Sequence, residues 1–231
     1  MKINSLSSRL LHLFYPHNCE GCGSDVVFDS QLLCARCRHR LPETNFFGQA
    51  NNPVEKLFYG RVNIQQAGAA FYFTKDSLLQ HLMIQLKYRG NKEAGYFLGR
   101  MLGTILSACK KYADIDALVP LPLNPRKEQS RGYNQAALLC EGVHQVWAKP
   151  VLPDAITRTR FTETQTRQNR LSRWQNMDGV FAVTDASALR NRHILLIDDV
   201  ITTGATLEAC SSSLLAVEGV RVSIGAAAYT V

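Results

Sequence analysis

Short, continuous apolar runs alternate along the chain with stretches in which apolar residues return every three or four positions. The runs at 67–73, 116–122, 154–157, 180–183, 194–197 and 220–229 have the length and composition of buried strands. Between the first two, Leu78, Leu79, Leu82, Met83 and Leu86 fall at helical spacing, with Asp76 as the expected N-cap and Tyr88-Arg89-Gly90 as the stop. A second helix is expected from about Glu93 to Lys111, with Phe97, Met101, Leu102 and Ile105 on one face. Further helices begin near Gln135 and at Ala205, the latter running to Val217. Strands that alternate with helices predict an α/β fold built on a parallel sheet. There is no internal repeat or low-complexity tract.

The front of the chain has a different texture. Leu6, Leu10, Leu11, Leu13 and Phe14 are interrupted by Arg9, and no small-residue cleavage site follows. That pattern predicts a short amphipathic helix, not a signal peptide, and no apolar run is long enough to insert in a membrane. The expected location is the cytoplasm. Residues 42–60 are polar and rich in turn signals, including Asn51-Asn52-Pro53. The expected organisation is an N-terminal unit over 1–50, a linker over 51–66 and the α/β domain over 67–231. A length of 231 residues with 46% apolar content supports one medium domain with a full core. The net charge of +7 favours anionic partners without choosing among pyrophosphate, nucleotides and single-stranded nucleic acid.

Four of the seven cysteines form two Cys-x-x-Cys turns, Cys19/Cys22 and Cys34/Cys37, separated by eleven residues (23–33). Two such turns facing each other complete a tetrahedral, structural Zn²⁺ site with no open position for catalysis. Gly21 and Gly23 let the backbone curl around sulfur, and Arg36, Arg38 and Arg40 offset thiolate charge. The intervening residues 24–33 read as a small hairpin. The gap is shorter than the usual ribbon range of about 15–20 residues. A redox dithiol, or simply buried reduced thiols, is the competing reading. Cys109, Cys140 and Cys210 read as small core residues.

The most informative segment runs from Ile194 to Thr206. An apolar strand ends in Asp198 and Asp199; Thr202, Thr203, Gly204, Ala205 and Thr206 then lead into a helix. Backbone N–H groups and hydroxyls at a helix N-terminus suit a phosphate. The two carboxylates cannot attract an anion, so they call for sugar hydroxyls or a divalent cation. A sugar phosphate meets both demands. The competing reading, a turn whose Asp and Thr side chains only cap the helix, explains one acid or one threonine but not the whole set.

Two basic segments complete the picture. Arg126, Lys127 and Arg131 follow a strand and can converge on the same crevice, where they suit pyrophosphate or remain a solvated loop. Arg131-Gly132-Tyr133-Asn134-Gln135 adds an aromatic ring that can approach a base. Farther on, Arg158, Arg160, Arg167, Arg170, Arg173 and Trp174 mark a polar, basic stretch. It reads as a lid over an anionic substrate or as a basic helix face for single-stranded nucleic acid, unless it is only a solvated helix.

The Asp198–Thr206 wording resembles the 5-phosphoribosyl 1-pyrophosphate (PRPP) signature of type I phosphoribosyltransferases. That likeness implies their fold, with Asp198 and Asp199 on the ribose, Mg²⁺ nearby, and Thr202 to Thr206 around the 5-phosphate. The chain as a whole resembles the competence protein F (ComF) family. The matching features are the amphipathic start before Pro16, the two Cys-x-x-Cys turns, Leu86-Lys87-Tyr88 and Val119-Pro120-Leu121-Pro122. To these are added Arg131 to Gln135, Arg158 with Gln165 to Arg170, and Ile197 to Thr206. The resemblance implies an N-terminal zinc finger joined to a phosphoribosyltransferase-like domain. It also implies a role in natural competence, with single-stranded DNA and other competence proteins as partners. The alternative is an active phosphoribosyltransferase of nucleotide salvage or synthesis. There, pyrophosphate leaves under the basic loops and the ribose cation forms over Asp198 and Asp199.

Overall fold

The computed structural model describes residues 18–25, 31–159 and 180–230. Its elements begin with α1 (Ala35–His39), α2 (Pro53–Lys56), β1 (Ala67–Phe73), α3 (Leu78–Tyr88) and α4 (Lys92–Ala108). There follow β2 (Ala117–Pro120), α5 (Pro125–Arg131), α6 (Gln135–Trp147), β3 (Ile156–Arg158), β4 (Phe181–Val183) and α7 (Ala186–Leu189). Last come β5 (His193–Ile201), α8 (Ala205–Leu215) and β6 (Arg221–Thr230).

The sheet order is β1-β6-β5-β2, and every neighbouring pair is parallel. Leu196 of β5 sits opposite Ile224 of β6 on one side and Val119 of β2 on the other. A strand alternates its side chains between faces. Accordingly Leu195 and Ile197 enter one apolar cluster with α3, α4 and α6, while Ile194 and Leu196 enter a second with α8. Burial on both faces is why this strand reads as an unbroken apolar run. The α/β class expected from the sequence is therefore present: a parallel sheet flanked by helices, preceded by a small cysteine-bearing module. Helices α4 and α6 cross closely where Gly99 meets Gly142. A Cβ added at Gly99 would collide with the Leu139 carbonyl and come within 2.9 Å of Gly142 Cα.

The connections leaving neighbouring strands decide where a crevice opens. The chain leaves β5 into α8 on one face and leaves β2 towards α6 on the other. Open α/β sheets hold ligands at such a switch point, beyond the strands' carboxyl ends.

Several local expectations are corrected. Ser77, not Asp76, caps α3: its hydroxyl accepts the Gln80 N–H at 3.1 Å, and Asp76 takes a left-handed φ of 56°. Helix α4 stops at Ala108, and a 3-10 turn over Lys110–Tyr112 brings the Tyr112 ring within 5.3 Å of Phe47. The short strands β3 and β4 pair with each other antiparallel instead of joining the parallel sheet. Residues 51–66, expected as a linker, pack tightly: Val54 and Phe58 are fully buried. Asn52 caps α2 and donates to the carbonyls of Phe46, Gln49 and Ala67. The expected amphipathic helix over 1–15 lies outside the described residues, as does the middle of the 24–33 hairpin.

Candidate functional site

Strand β5 carries the two acids to the crevice, where the backbone turns towards α8. Asp199 is ion-paired with Lys87 from the last turn of α3, Nζ to Oδ1 at 2.9 Å. Asp198 accepts the Asp199 backbone N–H at 2.7 Å. Desolvation, then the charge of Asp199, push the Asp198 carboxyl up to about 7, against the opposing pull of Lys87. The two acids are thus unequal: one is held by a cation and the other is primed to carry a proton near neutrality. A divalent cation placed on this pair would compete with Lys87 for Asp199.

The hydroxyl loop follows at once. Thr202, Thr203 and Thr206 are exposed, while Gly204 is buried at the N-cap of α8 with φ 74°. Gly204 itself supplies no side-chain cap to α8. The Thr203 hydroxyl accepts the Ala205 N–H in a long bond of 3.5 Å. The N–H donors of a helix N-terminus suit an anion.

On the other side of Lys87 lies an open cleft of about 610 Å³ lined by Lys87, Tyr88, Arg126, Lys127, Arg131 and Tyr133, among others. Arg126, Lys127 and Arg131 line this cleft together with Lys87 as a fourth cation, and the Thr202–Thr206 loop is not part of its lining. Arg131 is oriented twice: it donates to Gln135 Oε1 at 2.7 Å and stacks 5.6 Å over the Tyr88 ring, which is 73% exposed. The Tyr133 hydroxyl donates to the Leu86 carbonyl, so this ring fastens the end of α3 to the loop before α6. Lys87 was visible in the sequence only within a three-residue likeness. Its partner lies 112 positions away, and no local pattern links them.

The four cysteines expected at the front do converge. A tetrahedral centre with metal–sulfur bonds of about 2.3 Å has sulfur–sulfur edges of about 3.8 Å. Cys22 and Cys34 Sγ are 3.8 Å apart, and all four sulfurs of Cys19, Cys22, Cys34 and Cys37 lie within 4.8 Å of one another. Backbone N–H groups of Gly21 and Cys34 point at Cys19 Sγ. Gly21 is required by space, since a Cβ there would lie 2.9 Å from Cys37 Sγ. Gly23 is required by its φ of 71°. This cluster can hold a metal ion. Cys19, Leu32, Leu33, Cys37 and Leu41 belong to the same apolar cluster as α3 and α4, so the module is built onto the sheet's helical layer. Of the remaining thiols, Cys140 and Cys210 are buried and Cys109 is half-buried against the Phe47 carbonyl.

Arg158, in β3, stacks 5.6 Å from the Phe181 ring of β4. Arg160, Arg167, Arg170, Arg173 and Trp174 lie outside the described residues. Among the described residues no helix is long and apolar enough to cross a membrane.

The fold and site define an α/β protein with a polar crevice at its sheet's carboxyl edge and a four-cysteine module at its front. No family model matches the chain. Among curated proteins it is 29% identical over 204 residues to the DNA utilization protein YhgH of Escherichia coli O157:H7, covering 85% of this chain and 77% of that one. It is 25% identical over 222 residues to competence protein F of Haemophilus influenzae, covering 90% and 96%. It is 30% identical over 144 residues to competence protein ComFC of Bacillus subtilis, covering 62% and 56%. Most of the chain is thus similar to proteins named for competence and DNA utilization. Solved structures with partial likeness include a B. subtilis glutamine PRPP amidotransferase complexed with ADP and GMP. That match has 15% identity and a TM-score of 0.43, and spans 61% of this chain and 30% of that one. A hypothetical protein from Neisseria gonorrhoeae with bound ppGpp matches at 13% identity and a TM-score of 0.37, over 71% and 72%.

Proposed function

We propose that this protein binds PRPP, or a related ribose phosphate, at the β5–α8 turn and serves natural competence by handling incoming single-stranded DNA in the cytoplasm. The observation that carries the ligand assignment is the glycine-capped N-terminus of α8 beside Asp198 and Asp199, with the four-cation cleft across Lys87. A 5-phosphate fits the loop of Thr202 to Thr206, ribose hydroxyls fit the acids, and Arg126 and Arg131 face the charge of the pyrophosphate. The names of the relatives, competence protein F and DNA utilization protein among them, support the cellular role. In this reading the four cysteines hold zinc in a structural role, and other competence proteins are the protein partners.

The nucleic-acid part of the proposal assigns phosphate-binding roles to Arg158, Arg160, Arg167, Arg170 and Arg173, with Trp174 stacking on a base. A salt titration of single-stranded DNA binding tests it. Removing one arginine–phosphate pair lowers the slope of log K against log salt by about 0.7. Arg167→Ala with Arg170→Ala should weaken binding and flatten that slope; an unchanged affinity and slope contradict the assignment.

One observation favours a second reading, an active phosphoribosyltransferase: a cleft of four cations stands beside the acids, where departing pyrophosphate needs fixed positive charge. Mg²⁺ belongs to that reading, held by Asp198 and Asp199 and supplying further charge neutralisation. Consumption of PRPP with any member of a panel of bases would establish it. Binding without turnover supports the first reading.

A further inference from the structure

The hydroxyl loop has a backing that no motif announces. The chain after α2 runs behind it. A Cβ added at Gly204 would come within 3.0 Å of the Phe58 ring, and Arg61 reaches the loop itself. Arg61 Nη1 donates to the Leu57 carbonyl at 2.9 Å and to the Thr203 carbonyl at 3.2 Å. Its Nη2 is ion-paired with Glu208, in the first turn of α8.

Both interactions bear on an anion at this turn. A planar trans peptide sends its C=O and N–H to opposite sides. With the Thr203 oxygen tied to Arg61, the N–H of Gly204 is turned away from the guanidinium, and the carbonyl is kept from facing a phosphate. Glu208 acts through its charge. A carboxylate in the first turn of a helix stabilises the helix but opposes an anion bound at the same end. Arg61 cancels that charge, and its fork reaches carbonyl and carboxylate together, which an ammonium cannot do with the same geometry.

We infer that Arg61 is the positioning residue of the phosphate loop: it orients the Thr203–Gly204 peptide and neutralises Glu208, so that the α8 N-terminus is free to take a phosphate. This rests on the ribose-phosphate reading of that loop. Arg61 and Glu208 are 147 positions apart, and the chain that carries Arg61 was expected to be a linker.

Calorimetric titration of the full chain with ribose 5-phosphate tests the inference. Arg61→Met should weaken binding about tenfold. Glu208→Gln alone should bind at least as well as wild type. The double variant should recover at least about threefold of the loss, because the uncompensated carboxylate is gone. A purely structural role for Arg61 predicts no such recovery. The Arg61 side chain is 38% exposed, so Arg61→Met should fold. Arg61→Lys, expected to be intermediate, carries the test if it does not. Wild-type affinity in Arg61→Met, or a double variant no better than Arg61→Met, overturns the inference and leaves the ribose-phosphate reading intact. Absence of binding by the wild type instead removes that reading, and this inference with it.

Discussion

Lys87 Nζ stands 2.9 Å from Asp199 Oδ1, joining the end of α3 to the end of β5 and the acid pair to the cationic cleft. The lysine also holds down Asp198, whose carboxyl burial and Asp199 push up to about 7. Lys87→Met should therefore raise the Asp198 pKa further. Carboxyl-carbon NMR titration checks this, and an unmoved or lowered midpoint would show that Lys87 does not govern the pair.

At the opposite edge of the sheet, buried His193 bonds Ser223 Oγ through Nε2 at 2.8 Å and faces Asp114 through Nδ1 at 3.1 Å. Burial lowers its pKa below the usual histidine range, against the pull of Asp114 and Asp116 and with help from Arg221. The folded state therefore resists protonation. Its contribution to stability is present above the unfolded value near 6.5 and is lost as pH falls through the lower folded value. Asp198 acts with the opposite sign, favouring the folded state in acid and losing that effect as pH rises through about 7. Comparing wild type with His193→Gln separates them. From about pH 7 to about pH 5, the thermal midpoint of the wild type should fall more than that of the variant. Parallel curves would contradict the role of His193.

The cysteine cluster predicts one equivalent of zinc in the purified protein, read by elemental analysis. Because Leu32, Leu33 and Leu41 share a core with α3 and α4, metal loss should be felt beyond the module. A chelator or Cys22→Ser should lower the thermal midpoint by about 10 °C. Protein that is folded, metal-free and indifferent to chelator would refute the centre.

Gly99→Ala places a methyl group against the Leu139 carbonyl and Gly142 at the α4–α6 crossing. Overpacking against backbone should cost about 2–3 kcal/mol, measurable by denaturant unfolding. A neutral effect would mean that the helices separate easily there.

Much of the fold was legible because it is written locally. The strand at 67–73 matches β1, and the 194–197 run lies within β5, since strands buried on both faces must be continuously apolar. The Asp198–Thr206 turn was legible for the same reason: its hydroxyls and acids are adjacent in the chain. What failed to show were pairings between distant segments. Lys87 with Asp199 and Arg61 with Glu208 arise only when the sheet is assembled. Residues 51–66 looked like a tether because polar and turn-forming residues outnumber the apolar ones. Yet two of those apolar residues, Val54 and Phe58, are fully buried, and one asparagine supplies the hydrogen bonds that hold the turn. Asp76 and Ser77 are both good caps, and only the left-handed backbone at Asp76 settles the choice.

A live ribose-phosphate site at the β5–α8 turn is what the functional proposal requires above all. Calorimetric titration of wild-type protein with PRPP, with and without Mg²⁺, tests it most directly when repeated on Asp198→Ala and Asp199→Ala. Saturable binding by the wild type and a clear loss in both variants are expected. No binding by the wild type, or variants indistinguishable from it, would contradict the site.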